Sequence, residues 1–130
     1  MNKAIIGTAA ILGFISIIFG AFGAHALKEV LTPEQLVSFE TGVRYQMYHA
    51  LFLLFVGVAG FISEKQKKII FLLTIIGVLL FSGSIYLLVT QSVSGINFKF
   101  LGPITPIGGL LLILSWGLLT FYCFGQKTDR

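Results

Sequence analysis

The sequence predicts an all-α integral membrane protein, an up-down bundle of four transmembrane helices with a short amphipathic helix between the first and the second. Three observations carry that expectation. Hydrophobic residues make up 56% of the 130-residue chain and charged residues only 11%, against roughly 45–50% and 25% in ordinary domains. A soluble domain of this length still exposes about a third of its unfolded area, more than so few polar groups can cover. Three runs, 4–24, 69–89 and 104–124, carry no charge, and each is long enough to cross a hydrocarbon core that needs about 20 residues. Together these exclude a soluble globule, a disordered chain and a disulfide-stapled secreted domain, and the length allows a single domain over 1–130.

The first helix is expected over 4–24. Lys3 and the Ala24-His25-Ala26 triplet imitate a signal peptide, but the charge-free run exceeds the usual apolar region of roughly 7–15 residues, so it reads as a retained helix. Ala9, Gly13, Ser16, Gly20 and Ala24 form a small-residue stripe along it, which lets backbones approach closely in lipid and could equally serve a homo-oligomer. Between 28 and 41 the composition is mixed. Thr32, Pro33 and Glu34 read as an N-cap, a proline at the first helical position and an acidic first turn, which begins the short amphipathic helix carrying Leu36, Val37 and Phe39.

The second span is the least simple. The apolar stretch from Ala50 to Ile62 is too short to cross, so the helix must recruit residues from Val43 onward and occupy 43–62. That draws Arg44, Tyr45, Gln46, Tyr48 and His49 to the membrane boundary or inside it. The polar Ser63–Lys68 turn follows, then a third span over 69–90, a Gly- and Ser-containing loop over Gln91–Pro103, and a fourth span over 104–124. Thr105 could cap that last helix, with Pro106 at its first position.

With four crossings, Lys3, Lys65, Lys67, Lys68, Lys127 and Arg130 share one side, and Lys28, Arg44 and Lys99 lie on the other. The positive-inside rule places the richer side, and both termini, in the cytoplasm of a multi-pass cell-membrane protein. The net charge of +4 comes from scattered residues and not from a basic stripe with interleaved aromatics, so nucleic acid is not an expected partner. The expected partner is the lipid bilayer. Cys123 is the single cysteine and reads as a small hydrophobe.

Up-down connectivity brings four polar motifs to one membrane face, the non-cytoplasmic one: Gly20–His25, Glu40–His49, Ser82–Tyr86 and Gly102–Gly109. The candidate binding residues come from these motifs. Thr41, Arg44, Tyr45, Tyr48 and His49 recur at helical spacing and share one face, and Glu40 stands four residues before Arg44 in the order that favours an ion pair. Arg44 reads either as an interfacial anchor paired with Glu40 or as a ligand for an anionic group, helped by the N-terminus of the fourth helix. His25 and His49 could reach similar depth. Two such histidines suit haem, or with Glu40 a metal, but the rest of such a site is not evident, and hydrogen-bonded structural histidines are commoner; no cofactor and no metal site are expected. Ser82, Ser84 and Thr105 sit in no nucleophile motif and read as interhelical hydrogen-bonding groups. Tyr86 belongs to the same cluster, and Trp116, at mid-span, reads as packing.

These motifs carry a resemblance. Gly20-Ala21-Phe22-Gly23-Ala24-His25, Tyr45-Gln46-Met47-Tyr48-His49, Phe81-Ser82-Gly83-Ser84-Ile85-Tyr86 and Ile104-Thr105-Pro106-Ile107-Gly108-Gly109 make the chain similar to the YgdD-like family of small bacterial inner-membrane proteins, a domain of unknown function. The resemblance implies four membrane helices and no established activity, substrate or cofactor. The residues themselves favour a non-enzymatic protein that binds a small ligand, lipid head group or partner at the polar face. A small oligomeric transporter or channel is the alternative. It would need polar groups along its full depth, yet the cytoplasmic halves of the first three spans hold little beyond Thr8 and Thr74. A haem or metal redox protein using His25 and His49 is the third reading.

Overall fold

The computed structural model describes residues 1–125, and its described part is helical with no strand. Lys127 and Arg130, counted above for topology, lie outside the described residues. The helices are α1 (Lys3–Ala24), α2 (Pro33–Val58), α3 (Glu64–Val78), α4 (Ser84–Ser94) and α5 (Ile104–Phe124), with 3-10 turns at Leu27–Glu29 and Lys99–Leu101. A π-helical turn, Leu79–Gly83, joins α3 to α4, so Glu64–Ser94 is one continuous helical rod. Three stretches, Lys3–Glu29, Glu64–Ser94 and Lys99–Phe124, are long and apolar enough to cross a membrane. The helix that falls short of that standard is α2.

The expected amphipathic helix is not a separate element. Thr32 caps α2 by accepting from the Gln35 N–H (3.2 Å), and the Gln35 side chain accepts from the Thr32 N–H in return (2.9 Å). This reciprocal capping box starts the helix, and nothing downstream stops it. Gly42 is the first glycine on the way, and it lies against Tyr86, where an added Cβ would come within 2.8 Å of the ring. The segment read as a surface helix is therefore the first three turns of α2.

The Glu64–Ser94 rod also departs from a plain helix. α5 crosses it with the two backbones in contact: a Cβ on Gly108 would lie 2.6 Å from the Leu80 carbonyl carbon and closer still to the Phe81 nitrogen. The widened turn sits at this crossing. Ser82, within it, is turned toward α2 and donates to the Gly42 carbonyl at 2.7 Å. Hydrophobic periodicity does not register a single extra residue per turn, so the sequence pattern could not reveal it. Beyond it α4 runs on to Ser94 and ends at Gly95, whose φ of +74° is a left-handed closing turn. The connecting loop is thus shorter than the expected Gln91–Pro103. The Thr105 cap is likewise not formed: Pro103 holds the N-cap position of α5, without a side-chain cap bond.

Each hairpin packs chiefly on itself, α1 on α2 and α5 on α3 with the π turn, while α2 also touches α3, the π turn and α4. α2 is therefore the middle of the bundle. The small-residue stripe of α1 is used against it: Ala9 and Ser16 are fully buried, and Cβ atoms at Gly13 and Gly20 would meet Ala50 and Val43, each at 3.7 Å. Ile5, Ala9, Phe52, Leu53, Val56, Ala59, Ile62 and Ile70 form the main apolar cluster. Leu31, Phe39 and Val89 form a smaller one at the opposite end.

The end bearing the Ser63–Lys68 turn is not the plain lysine turn the sequence implied. Lys67 is 2% exposed and its Nζ donates to the Gly57 carbonyl at 3.1 Å. The Asn2 backbone N–H donates to the same oxygen at 2.8 Å. Asn2 also caps α1, accepting from the Ile5 N–H, and donates from Nδ2 to Glu64 at 2.8 Å, while Lys67 lies 3.7 Å from the other Glu64 oxygen. The last carbonyls of a helix lack intrahelical donors, and this clamp supplies two of them to α2 while fastening the starts of α1 and α3.

The Gly108 crossing yields a direct test. Gly108→Ala forces α5 away from the π turn, so thermal unfolding in detergent micelles, followed by circular dichroism, should show a loss of about 1–3 kcal/mol. Gly117→Ala, where an added Cβ meets nothing within 4 Å, should leave the midpoint unchanged. Equal behaviour of the two variants would contradict the crossing described here.

Candidate functional site

α2 presents two different faces to two different surroundings. Its inner face carries Gln46 and His49, which are 4% and 3% exposed. Gln46 Nε2 donates to the Leu12 carbonyl of α1 at 3.0 Å, and Gln46 Oε1 accepts from the Tyr86 hydroxyl of α4 at 2.7 Å. Tyr86 is held for that bond by Phe19, edge-on at 5.0 Å between centroids, and by Phe39 at 5.2 Å. One turn further along, the indole N–H of Trp116 donates to His49 Nε2 at 3.0 Å, and His49 Nδ1 lies 2.7 Å from the Tyr45 carbonyl. An indole N–H can only donate and a carbonyl can only accept. His49 is therefore the neutral tautomer with its proton on Nδ1, and both ring nitrogens are committed.

Ser84 and Thr105 share a hydrogen bond of 2.5 Å between α4 and α5, and Ser82 is bound to Gly42 as described. Thus Ser82, Ser84 and His49 are buried and Tyr86 and Thr105 half-buried, in separate short links between helix pairs. Among the described residues no buried side-chain nitrogen or oxygen lacks a partner. In lipid, where an unpaired polar group has no water to turn to, this inner cluster works as a fastening.

The other candidates stand apart from it. His25, Glu40, Arg44, Tyr45 and Tyr48 are exposed. The pairing read from the Glu40–Arg44 spacing is not made: neither side chain forms an ion pair or a side-chain hydrogen bond among the described residues. Arg44, Tyr48 and His49 therefore do not meet in one polar pocket. His25 stands at the exit of α1, bonded through its backbone N–H to Ala21 and Phe22. It cannot act with His49 as a ligand pair while both His49 nitrogens are engaged, and among the described residues no group of three or more His, Cys, Asp or Glu side chains is placed to hold a metal.

What is open lies between α2, the π turn and α5. A groove of about 350 Å³ is lined by Thr41, Tyr45, His49, Phe81, Gly109, Leu112, Ile113 and Trp116, a volume at the lower end of ordinary ligand sites. Its walls are mainly apolar and aromatic; Tyr45 packs on Phe81 at 5.2 Å and on Tyr48 at 5.5 Å. Arg44 and Tyr48 stand three residues on from Thr41 and Tyr45, so helical spacing sets them on the exposed flank of the same groove.

Sequence reasoning missed Gln46 and undervalued Trp116. Gln46 was visible as a long amide within a span, and such a group in lipid is expected to bridge helices. Nothing in the sequence placed Trp116 opposite His49, because they belong to α5 and α2 and lie 67 residues apart in the chain.

Helices jacketed in exposed Leu, Ile and Phe, with every buried side-chain polar group among the described residues paired, define a small integral membrane protein. The family described as "Protein of unknown function (DUF423)" matches residues 19–109. The UPF0382 membrane protein of Haemophilus influenzae is 34% identical over 98% of this chain and 99% of its own length. The UPF0382 membrane protein YwdK of Bacillus subtilis is 39% identical over 88% and 90%, and the UPF0382 inner membrane protein YgdD of Escherichia coli 33% identical over 85% and 82%. The chain belongs to this UPF0382/DUF423 family of membrane proteins, as its motifs led us to expect. No solved structure matches it.

The inner links are testable by a double-mutant cycle. Gln46→Leu leaves the Tyr86 hydroxyl without its acceptor and should cost about 1–3 kcal/mol of stability. Adding Tyr86→Phe removes the stranded group, so the double variant should be no less stable than Gln46→Leu alone. Simple additivity of the two losses in thermal unfolding would show that the bond is not made.

Proposed function

We propose that this chain is a non-enzymatic, multi-pass inner-membrane protein that crosses the bilayer four times, keeps both termini in the cytoplasm and binds an amphiphilic ligand at its non-cytoplasmic end. The observation that carries the reading is the groove between α2, the π turn and α5, with the exposed Arg44 beside it and no partner for that cation among the described residues. A charge near the membrane boundary is retained at a cost, and an interior whose polar groups are all paired has none left for a reaction or a continuous polar path. That favours binding over catalysis and over transport within one protomer.

α2 is the fourth crossing on this reading. Its 26 residues span about 39 Å at 1.5 Å each; of the polar groups that lower its hydropathy, Gln46 and His49 are buried against its neighbours, while Glu34, Glu40 and Arg44 fall in its N-terminal half. Orientation follows from the basic residues of the sequence, where Lys3, Lys65, Lys68, Lys127 and Arg130 fall at one end and Lys28, Arg44 and Lys99 at the other. Buried Lys67 serves the clamp and no longer weighs in that comparison.

Two measurements test this. In a Cys123→Ser background, Lys68→Cys should resist a membrane-impermeant maleimide in intact spheroplasts while Ser94→Cys reacts; the reverse pattern would overturn the orientation. Gly109→Leu, which fills the groove, should lower co-purifying ligand several-fold by native mass spectrometry at unchanged helicity. Unchanged ligand would overturn the site.

A further inference from the structure

The order of groups along α2 carries the assignment one step further. Glu40, Arg44 and the groove residues Tyr45 and His49 follow one another toward the membrane interior, with Glu40 and Arg44 about 6 Å apart along the axis. Glu40 and Arg44 are exposed and one turn apart, in the orientation that favours an ion pair, yet they stand unpaired among the described residues. Below them the groove offers a mainly apolar, aromatic wall with the Thr41 hydroxyl near its mouth; that hydroxyl donates to the Val37 carbonyl at 3.0 Å and keeps lone pairs to accept with.

Resting on the reading of the groove as a binding site, we propose that its ligand is a phospholipid with a primary-ammonium headgroup, the ammonium at Glu40, the phosphate at Arg44 and one acyl chain in the groove. In a bilayer such a lipid presents these three parts in the same order, ammonium outermost, phosphate next and hydrocarbon deepest. A purely anionic headgroup would satisfy Arg44 and set a like charge beside Glu40. A free phosphate would leave the apolar walls uncovered. A guanidinium is suited to phosphate because it donates two parallel N–H bonds. A primary ammonium donates to a carboxylate where a quaternary one cannot. Tyr45 and Tyr48 sit at the depth where tyrosines collect in membrane proteins, at the headgroup level.

The test is lipid retention by the full chain in mixed micelles holding equal amounts of phosphatidylethanolamine, phosphatidylcholine and phosphatidylglycerol, read by native mass spectrometry. Phosphatidylethanolamine should be retained about fivefold over the other two, a ratio within reach of an exposed ion pair. Glu40→Gln should abolish its advantage over phosphatidylglycerol, and Arg44→Gln should lower retention of all three, with helicity by circular dichroism unchanged in both. Preference for phosphatidylglycerol, or equal retention of the three lipids that Gly109→Leu still abolishes, would overturn the headgroup assignment and leave the groove standing. Failure of the wild-type chain to retain any lipid, or retention that Gly109→Leu does not change, would overturn the groove reading itself.

Discussion

Gln46 joins three helices with one side chain, accepting from Tyr86 on α4 and donating to the Leu12 carbonyl on α1 from its place in the middle of α2. Much else in the bundle follows from that placement. An amide in lipid must find protein partners or remain unpaired at a cost of several kcal/mol, so α2 is confined to the interior, with a neighbour on each polar side. The α1 stripe of small residues brings Leu12 within reach, and Gly42 leaves the room that the Tyr86 ring fills beside α2. The least apolar helix is central because its polar groups leave it nowhere else to be.

The two ends of the bundle are finished differently. At one, Asn2, Glu64 and the buried Lys67 close over the Gly57 carbonyl, in the last turn of α2. At the other, the inner links end at Ser84 and Thr105, and the exposed flank of α2 keeps charged and aromatic groups that bond to nothing within the described chain. The π turn separates these regimes. By letting α5 cross at Gly108, it opens the space that Phe81, Gly109 and Trp116 line.

Most of the helical plan was legible because it rests on run length and charge, which need no tertiary knowledge. The Thr32 cap, the three charge-free spans and the small stripe of α1 all follow from local chemistry. The continuity of α2 was hidden by its change of composition at Thr41, since a hydropathy step resembles an element boundary. The candidate residues separated for a related reason. Glu40 to His49 form one polar segment in sequence, but a helix turns 100° per residue, so Gln46 and His49 go inward while Arg44 and Tyr48 go outward. The partners that decide which is which, Tyr86 and Trp116, lie 40 and 67 residues away, beyond what spacing along one helix can report. Lys67 was misread because a lysine in a turn is ordinarily solvated, and only the Gly57 carbonyl in the last turn of α2 beside it makes burial tolerable.

What the bundle depends on is that Gln46 and His49, the polar residues on the inner face of α2, are paired inside the protein. His49 tests it most directly. Nitrogen NMR of the full chain in lipid bilayers, with histidine and tryptophan labelled, should find His49 as the neutral tautomer protonated at Nδ1, with its Nε2 correlated to the Trp116 indole proton. A His49 ring protonated at Nε2, or one lacking any correlation with Trp116, would contradict the account.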